Sequence, residues 1–356
     1  MMSSFPKSLI LFSVLWLVAL PSFGFETDQY NLPPEPLANI GNEVSDYVEA
    51  NLIFAIETIN GEIEHSVACL KNKTKGEKKC DSADAEFKKL LYLRSDAAVA
   101  DELYRTLAGS DIMFTKFGKW MNAHKFRAQP DRYKVGYSES IFVLNPADFL
   151  MLSPTVRLYG SEFGIDKLEH FFQQGHKYFQ IEKRSTAKGD KPSEAVDKAI
   201  RWGQRTERTY YGLISSGVYS NADLHANYVG MKFYQGLTQP LRINGITRPA
   251  TLRIKNGSWQ ADPAALGDSL LKPFIGDHLN EALNPSSFRL TLVRSVRREV
   301  KKHACPKWHR AFPDLTAAAI DARSKTLQLW NGEDYGYTPK DRFVTIGETC
   351  FKGSDR

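Results

Sequence analysis

The sequence lacks the short motifs that identify a reaction outright. It contains no Gly-x-Ser-x-Gly elbow, no His-Glu-x-x-His pair and no Gly-x-x-x-x-Gly-Lys-Ser/Thr loop. The common serine-hydrolase, zinc-peptidase and P-loop classes therefore have no support. No glycine-rich turn follows a clear strand, which argues against a dinucleotide-binding fold. The charged and hydrophobic fractions, 25% and 42%, are ordinary and exclude a disordered, collagen-like or coiled-coil chain.

A long apolar run occurs only at the beginning of the chain. Residues 9–20 are almost entirely apolar and follow one cation, Lys7, and small residues stand at Ser22 and Gly24. This order is typical of a secretory signal peptide, and we predict that residues 1–24 are removed by cleavage after Gly24. The apolar run is shorter than the roughly 20 residues that a membrane-spanning helix needs. Because no comparable stretch follows, we expect an exported, soluble protein, periplasmic or secreted.

Cysteine is scarce. The chain has four cysteines, which allow three pairings. Cys69 and Cys80 flank a short Lys-rich loop, and Cys305 and Cys350 both lie near the C-terminus. Disulfides form in oxidising compartments, so export predicts the two local pairs, Cys69–Cys80 and Cys305–Cys350. Metal binding is the alternative, but no Cys-x-x-Cys motif occurs.

Hydrophobic periodicity predicts a mainly α protein, a bundle-like globule of several helices with a small β-hairpin insertion and two disulfides. Apolar residues at steps of three and four indicate a helix over 37–70, and the same period continues after the Lys-rich loop through about residue 108. The stapled loop would join these two helices into an αα-hairpin. Two Asn-Gly pairs between alternating apolar and polar residues mark the β-hairpin.

The chain divides into five segments. Its length, at roughly 150 residues per domain, fits two domains or one large domain with additions. A helical stretch is also expected over 264–283, and 140–144 fits a strand or a helical turn. The segments are a signal peptide (1–24), an N-terminal helical region with an extended polar lead-in (25–160), a central helical core (161–238), a β-hairpin (239–262) and a mixed C-terminal region with a basic helix (263–356).

The central segment holds the first candidate site residues. Asp166 and His170 are four apart, so on a helix they share one face, with Lys167 next to Asp166. A carboxylate beside an imidazole fixes its tautomer and raises its basicity, which suits acid/base catalysis or metal ligation. A helix-surface ion pair or a satisfied core histidine would explain the same spacing without any function.

A second group follows about fifty residues later. Ser220 is placed to cap a helix whose first turn holds Asp223. Asp223, Asn227 and Gly230 then share one face, and Gly230 allows another helix to approach closely. A carboxylate and an amide on such a face need polar partners. The predicted partners are His170, Lys167 and Glu207. The alternative is a buried polar network that only holds helices together.

These residues, in this order, resemble the VanZ-like family and its relatives among small exported proteins of the YfiM-like type. The family pattern is an Asp-Lys-x-x-His-Phe helix, a later Glu, and an Asp-x-x-x-Asn-x-x-Gly helix. The matching residues are Asp166, Lys167, His170, Phe171, Glu207, Asp223, Asn227 and Gly230. Ser220 stands near the position where the family has a basic residue, and VanZ-like domains are membrane-embedded. The resemblance, over residues 166–235, implies a cell-envelope location and a polar site rather than one reaction.

Two nearby residues receive different interpretations. Glu281 precedes the turn Asn284-Pro285, which ends a helix and needs no functional explanation. Glu281 is the only acidic residue of that stretch that could join a site. His225 is two residues from Asp223 and should point away from it, so we leave it out of the site.

Positive charge is concentrated near the C-terminus. The whole chain has a net charge of +6, yet residues 289–310 contain eight basic residues and one acidic residue. Apolar residues interleave with them, which predicts a basic amphipathic helix. Such a helix can lie on anionic lipid or a polyanionic envelope polymer, or it can be a solvated face over the core. The residues assigned to anionic-surface binding are Arg294, Arg297, Arg298, Lys301 and Lys302.

Two functions of different class follow. In the first, the protein is a hydrolase or transferase on an envelope glycan or lipid, with His170 as general acid/base, Asp166 orienting it and Glu207 as second carboxylate. The residues expected to position a substrate or a divalent metal are Lys167, Asp223 and Asn227. In the second, a non-catalytic envelope-binding or scaffolding protein uses the basic helix for contact. Nucleic acid is not expected as a partner of an exported protein.

Overall fold

Helices form most of the computed structural model, which describes residues 26–71, 79–111, 114–144, 152–339 and 343–352. In chain order the helices are α1 (Gly41–Leu70), α2 (Ala83–Leu93), α3 (Asp96–Leu107), α4 (Lys116–Ala123), α5 (Ile165–Glu169), α6 (Gly175–Thr186), α7 (Pro192–Glu207), α8 (Asn221–Thr238), α9 (Asp268–Leu271), α10 (Leu290–Glu299), α11 (Cys305–Ala311) and α12 (Ala317–Thr326). The π-helical turns are His170–Gln174, Val300–Ala304 and Gly347–Phe351. The short 3₁₀ turns are Tyr137–Glu139, Pro263–Ala265, Lys272–Phe274 and Asp277–Leu279. The predicted signal peptide lies outside the described residues.

The strands are short and pair antiparallel. They are β1 (Ser110–Asp111), β2 (Phe114–Thr115), β3 (Arg132–Tyr133), β4 (Thr155–Leu158), β5 (Ser161–Gly164), β6 (Val218–Tyr219), β7 (Leu241–Ile243), β8 (Ile246–Arg248), β9 (Leu252–Lys255), β10 (Ser258–Ala261) and β11 (Ser287–Phe288). β3, β4 and β5 form one sheet, and the remaining strands pair as β1–β2, β6–β11, β7–β8 and β9–β10. The fold is therefore mainly helical, as predicted, but it is not purely α.

The predicted first helix is confirmed as α1. Its apolar residues at steps of three and four, from Val44 to Ile63, are buried. The predicted second helix is wrong in one respect, because it consists of two helices, α2 and α3. Ser95 lies at the break and caps α3 by accepting a hydrogen bond from the backbone N–H of Ala98 at 3.3 Å. Both α2 and α3 pack on α1.

The β insertion is two hairpins rather than the single one predicted. Each Asn-Gly pair forms its own turn, β7–β8 at Asn244-Gly245 and β9–β10 at Asn256-Gly257, and all four of these residues have positive φ. Positive φ at both central residues is the requirement that favours Asn-Gly in two-residue hairpin turns. The chain therefore reverses direction at two hairpin turns within twenty residues. The sheet β3–β4–β5 was not expected from the sequence.

The helix expected over 264–283 is also wrong. This stretch contains only α9 and three separate 3₁₀ turns, broken by Gly267 at φ 61° and by Gly276. Pro263 is the first residue of one 3₁₀ turn and Pro273 the second residue of another, as expected for a residue that cannot donate an N–H to a preceding turn. Residues 141–144 form a turn and not a strand.

Two apolar cores lie under these elements. The larger one draws on α1, α3, α8 and the π-turn after α5. The second packs α10 and α11 against Tyr30, Phe288 and Val344. Both predicted disulfides are present, with Cys69 joined to Cys80 and Cys305 joined to Cys350. Within the described ranges, every helix is too short or too polar to span a lipid bilayer.

The contact between α6 and α8 is close because glycine stands on both sides of it. A Cβ on Gly230 would lie 2.0 Å from the carbonyl oxygen of Phe171 and 2.9 Å from Cα of Gly175. A side chain on either glycine would push the helices apart. This close approach, predicted from Gly230, brings the start of α5 beside the start of α8.

Candidate functional site

The starts of two helices converge at the candidate site. Asp166 lies in the first turn of α5 and Asp223 in the first turn of α8. Carboxylates are stabilised there by the positive end of the helix dipole and by free backbone N–H groups. Ser220 caps α8 as predicted, since its Oγ accepts a hydrogen bond from the N–H of Asp223 at 3.1 Å. The same hydroxyl donates to Glu281 Oε1 at 2.7 Å.

Lys167 is the central cation of this cluster. Its Nζ lies 2.6 Å from each of three carboxylates, those of Asp166, Asp223 and Glu281. Its contacts with Asp166 and Glu281 are hydrogen bonds, and its contact with Asp223 is an ion pair. The Lys167 side chain has no exposed surface. Lys167 therefore acts as a buried counter-ion.

The charges in the cluster shift each other's pKa values. Burial acts to lower the pKa of Lys167, but the surrounding carboxylates outweigh it and raise that pKa well above its ordinary value. Burial raises the pKa of Glu281, although Lys167 opposes the shift. Burial also acts to raise the pKa of Asp223, yet the charges of His170 and Lys167 prevail and lower it. Asp223 therefore remains an ionised partner for Lys167.

His170 lies at the edge of the cluster. Its Nδ1 is 3.1 Å from Asn227 Oδ1 and its Nε2 is 3.6 Å from Asp223 Oδ2. These are contacts of the kind predicted between the two sequence groups, and only tertiary folding creates them. Asp166 was expected to orient His170, but its oxygens bond instead to Lys167 and to Thr27. The carboxylate beside His170 is Asp223.

Glu207 completes the cluster from the end of α7. Its Oε2 accepts a long hydrogen bond, 3.4 Å, from the N–H of Ser220, and its Oε1 has no hydrogen-bond partner although it is buried. Burial, and then repulsion from Asp223, raises the pKa of Glu207 well above its ordinary value. A carboxyl group held neutral in this way can donate a proton near neutral pH.

Three of these side chains could hold a metal ion. Ligand atoms of His170, Glu207 and Asp223 all lie within 4.8 Å of one another. One imidazole and two carboxylates form a donor set that suits several divalent transition metals. Lys167 already pairs with Oδ1 of Asp223, the oxygen that faces away from His170. The negative charge of Asp223 therefore does not require a metal ion for its neutralisation.

The N-terminal lead-in closes the cluster from one side, which the sequence analysis missed. Residues 26–31 were expected to be extended and polar, yet all six are buried. Thr27 donates to Asp166 Oδ1 at 2.6 Å, and Gln29 Oε1 accepts from the N–H of Glu281 at 2.5 Å. Glu26 is also buried, and burial and the charge of Glu281 raise its pKa well above its ordinary value.

The structure places one of the remaining candidate residues in the cluster and another outside it. Glu281 joins the cluster, a role that the sequence allowed but did not favour. His225 points elsewhere, as expected: it is fully buried and stacks on His278 with ring centroids 4.5 Å apart. His65, one turn before Cys69, places its Nε2 3.5 Å from that sulfur.

The basic residues predicted for anionic-surface binding lie together on the surface of α10 and the following π-turn. They line one shallow depression of about 480 Å³, formed by Arg294, Arg297, Arg298, Lys301 and Lys302. Val296 and Val300, on the opposite face, are buried in the second core. The part of the apolar face that Val296 and Val300 form is therefore covered by the core, and the charged face is exposed.

Comparison with known proteins leaves the function open. No family model matches the chain, and neither the curated proteins nor the solved structures give a match. The resemblance of residues 166–235 to the VanZ-like family therefore stays a prediction.

Proposed function

We propose that the protein is an exported enzyme of the cell envelope, a hydrolase or transferase acting on a glycan or lipid. The observation that carries the proposal is the convergence of His170, Asp223 and Glu207 from three separate helical segments within 4.8 Å. Two formed disulfides are compatible with a periplasmic or extracellular location. The VanZ-like pattern of the same residues adds the envelope as the place of action.

The residues take distinct roles in this proposal. His170 is the general acid/base, and its ring is oriented by Asn227 on one nitrogen and by Asp223 on the other. Glu207, with its raised pKa, is the proton donor that complements it. Pairs of titratable groups whose environments separate their pKa values are typical of acid/base catalysis. Lys167 holds Asp223 in place and is itself held by Asp166 and Glu281.

His170 is also the member of this group nearest to solvent. Its exposed fraction is 8%, against 1% for Glu207 and 2% for Asp223. It begins the π-turn His170–Gln174, whose last two residues line an open cavity between α3, α6 and α7. Single π-helical turns occur often at functional sites because they re-aim side chains within a helix.

The test is the substitution Glu207→Gln. If Glu207 is neutral in the folded protein, glutamine preserves its shape, its charge and the bond from Ser220, so the melting temperature should change by only about 3 °C or less. Loss of the proton donor should lower turnover about 10²- to 10⁴-fold. Turnover is measured by mass spectrometry of isolated envelope glycan and lipid fractions incubated with purified protein.

A matched control is Glu299→Gln. Glu299 is also a buried carboxylate, 5% exposed, but it lies in α10 and pairs with Arg298 outside the cluster. Its substitution should leave turnover unchanged. The proposal is wrong if the wild-type protein converts no component of either fraction, or if Glu207→Gln is as active as the wild type.

A second function, attachment to an anionic envelope surface, is supported by the basic depression. Arg294, Lys301 and Lys302 are exposed and form no ion pair among the described residues, whereas Arg297 and Arg298 lie 3.8 and 2.7 Å from Glu348 and Glu299. Unpaired cations on one face attract an anionic surface at roughly 1 kcal/mol each.

Vesicle sedimentation tests this attachment. The triple substitution Arg294→Gln, Lys301→Gln and Lys302→Gln should weaken binding to vesicles with an anionic phospholipid about 100-fold, since it removes three such charges. The control removes the same charge from exposed positions elsewhere, with Lys188→Gln, Arg201→Gln and Lys255→Gln. Equal loss in both triple variants would mean that net charge, not this depression, drives binding.

A further inference from the structure

An open cavity adjoins the His170 cluster, and its lining differs from that cluster in kind. It lies between α3, α6, the end of α7 and the loop after α7, and its volume is about 620 Å³. Sites for small molecules typically measure roughly 300–1,000 Å³. The cavity shares the π-turn with the cluster, because Gln173 and Gln174 line its wall while His170 begins the same turn.

Aromatic rings form much of the cavity wall. The ring planes of Trp202 and Tyr211 are inclined at 64° with centroids 6.5 Å apart, and the ring centroids of Tyr210 and Tyr211 are 4.6 Å apart. On the other side, Tyr104 stacks on His176 at 4.3 Å. Tyr210 is 44% exposed although it is a large aromatic residue. Aromatic side chains with a polar end are typical of surfaces that bind amphipathic ligands.

The polar groups of the lining are mainly neutral amides. Gln173, Gln174 and Gln180 each offer a donor and an acceptor. Asp101 is held in place by His176 at 2.8 Å and by Gln180 at 3.3 Å. Lys177 supplies one positive charge against the one negative charge of Asp101, so the lining carries no excess of either formal sign. A phosphate or sulfate group would need clustered cations, and an acyl chain would leave these amides unpaired.

We propose that this cavity binds a neutral oligosaccharide of the envelope. A sugar ring has an apolar C–H face, which the rings of Trp202 and Tyr210 can cover, and a rim of hydroxyl groups, which the glutamine amides can both donate to and accept from. This inference deepens the proposed function by choosing glycan over lipid, and it rests on that function for the chemistry but not for the binding.

The experiment is calorimetric titration of the purified protein with neutral tetrasaccharides: chitotetraose, cellotetraose and maltotetraose. At least one should bind, and Tyr210→Ala and Gln173→Ala should each weaken its binding about three- to ten-fold. Both residues are partly or fully exposed, so their substitution should leave the fold intact. The control Phe87→Ala removes an aromatic ring that is 54% exposed on α2, outside the cavity, and should leave binding unchanged.

The variant Glu207→Gln distinguishes sugar binding in the cavity from the proposed catalysis. Glu207→Gln should bind the tetrasaccharide as tightly as the wild type even if its turnover is lost. The inference is overturned if none of the three sugars binds at millimolar concentration, if the two cavity variants bind as well as the wild type, or if a short-chain phosphatidylglycerol competes with the bound sugar. If sugar binds but no envelope glycan is converted, the proposed function fails and the binding site stands.

Discussion

Replacing Lys167 with methionine is expected to lower the free energy of unfolding by about 3–5 kcal/mol, because it removes one member of a buried charge cluster and leaves the others uncompensated. Three carboxylates lie 2.6 Å from Lys167 Nζ, and the exposed fractions of their side chains are 3% or less. Methionine fills nearly the same volume but offers no positive charge. The cost therefore comes from electrostatics and not from a cavity.

The measurement is urea unfolding at several pH values. Lys167 holds down the pKa of Asp223 and opposes the rise in the pKa of Glu281. In the Lys167→Met variant, the folded-state pKa values of Asp223 and Glu281 should rise. Both acids are then neutral at low pH, and the folded state loses stability as rising pH ionises them. The deficit of Lys167→Met against wild type should be larger at about pH 8 than at about pH 5.

Lys183→Met is the matched control for this prediction. Lys183 also lies 2.6 Å from a carboxylate, that of Asp96, but the two side chains are 29% and 25% exposed. Exposed ion pairs contribute about 0–1 kcal/mol, so this variant should be nearly as stable as the wild type at both pH values. Similar losses in both lysine variants would contradict the view that Lys167 is a buried counter-ion.

The pairing of the two sequence groups was predictable because it follows from local rules. Helix periodicity placed Asp223, Asn227 and Gly230 on one face, and a glycine there indicated close approach by a second helix. The structure places Lys167 against Asp223 and His170 against Asn227 across that contact. The predicted resemblance to the VanZ-like family selected the same residues.

The rest of the cluster was not predictable by those rules. Glu281 and Thr27 are separated from their partners by 114 and 139 residues, and no local pattern encodes such contacts. Straight helical spacing also misplaced Asp166, which the sequence put beside His170. The π-turn begins at His170. Thr27 and Lys167 each bond to one of the two oxygens of Asp166. Residues 26–31 are mostly polar and are buried against distant partners. Thr27 and Gln29 bond to the cluster, whereas Asp28 bonds to Asn31 and to the N–H of Ile141.

The second large effect is expected at the Cys305–Cys350 disulfide. It closes a loop of 45 residues, against 11 for Cys69–Cys80. In the chain-entropy account a disulfide stabilises by restricting the unfolded chain, by about 3 kcal/mol for a 15-residue loop and more for longer ones. The double substitution of Cys305 and Cys350 by alanine should therefore cost about 4 kcal/mol, and that of Cys69 and Cys80 less than about 3 kcal/mol.

The local structure also supports a larger loss of stability for the Cys305 and Cys350 variant than for the Cys69 and Cys80 variant. Cys305 begins α11 directly after the π-turn that carries Lys301 and Lys302, and it is 7% exposed in the second core. Cys350 lies in the last π-turn, so the bond ties the end of the described chain to the start of α11, next to the π-turn that carries part of the basic depression. Urea midpoints of the two double variants measure the difference. If the Cys69 and Cys80 variant is the less stable of the two, loop length does not control the stability of this protein. If the Cys305 and Cys350 variant keeps its stability but loses vesicle binding, the disulfide maintains the basic depression and does not stabilise the fold.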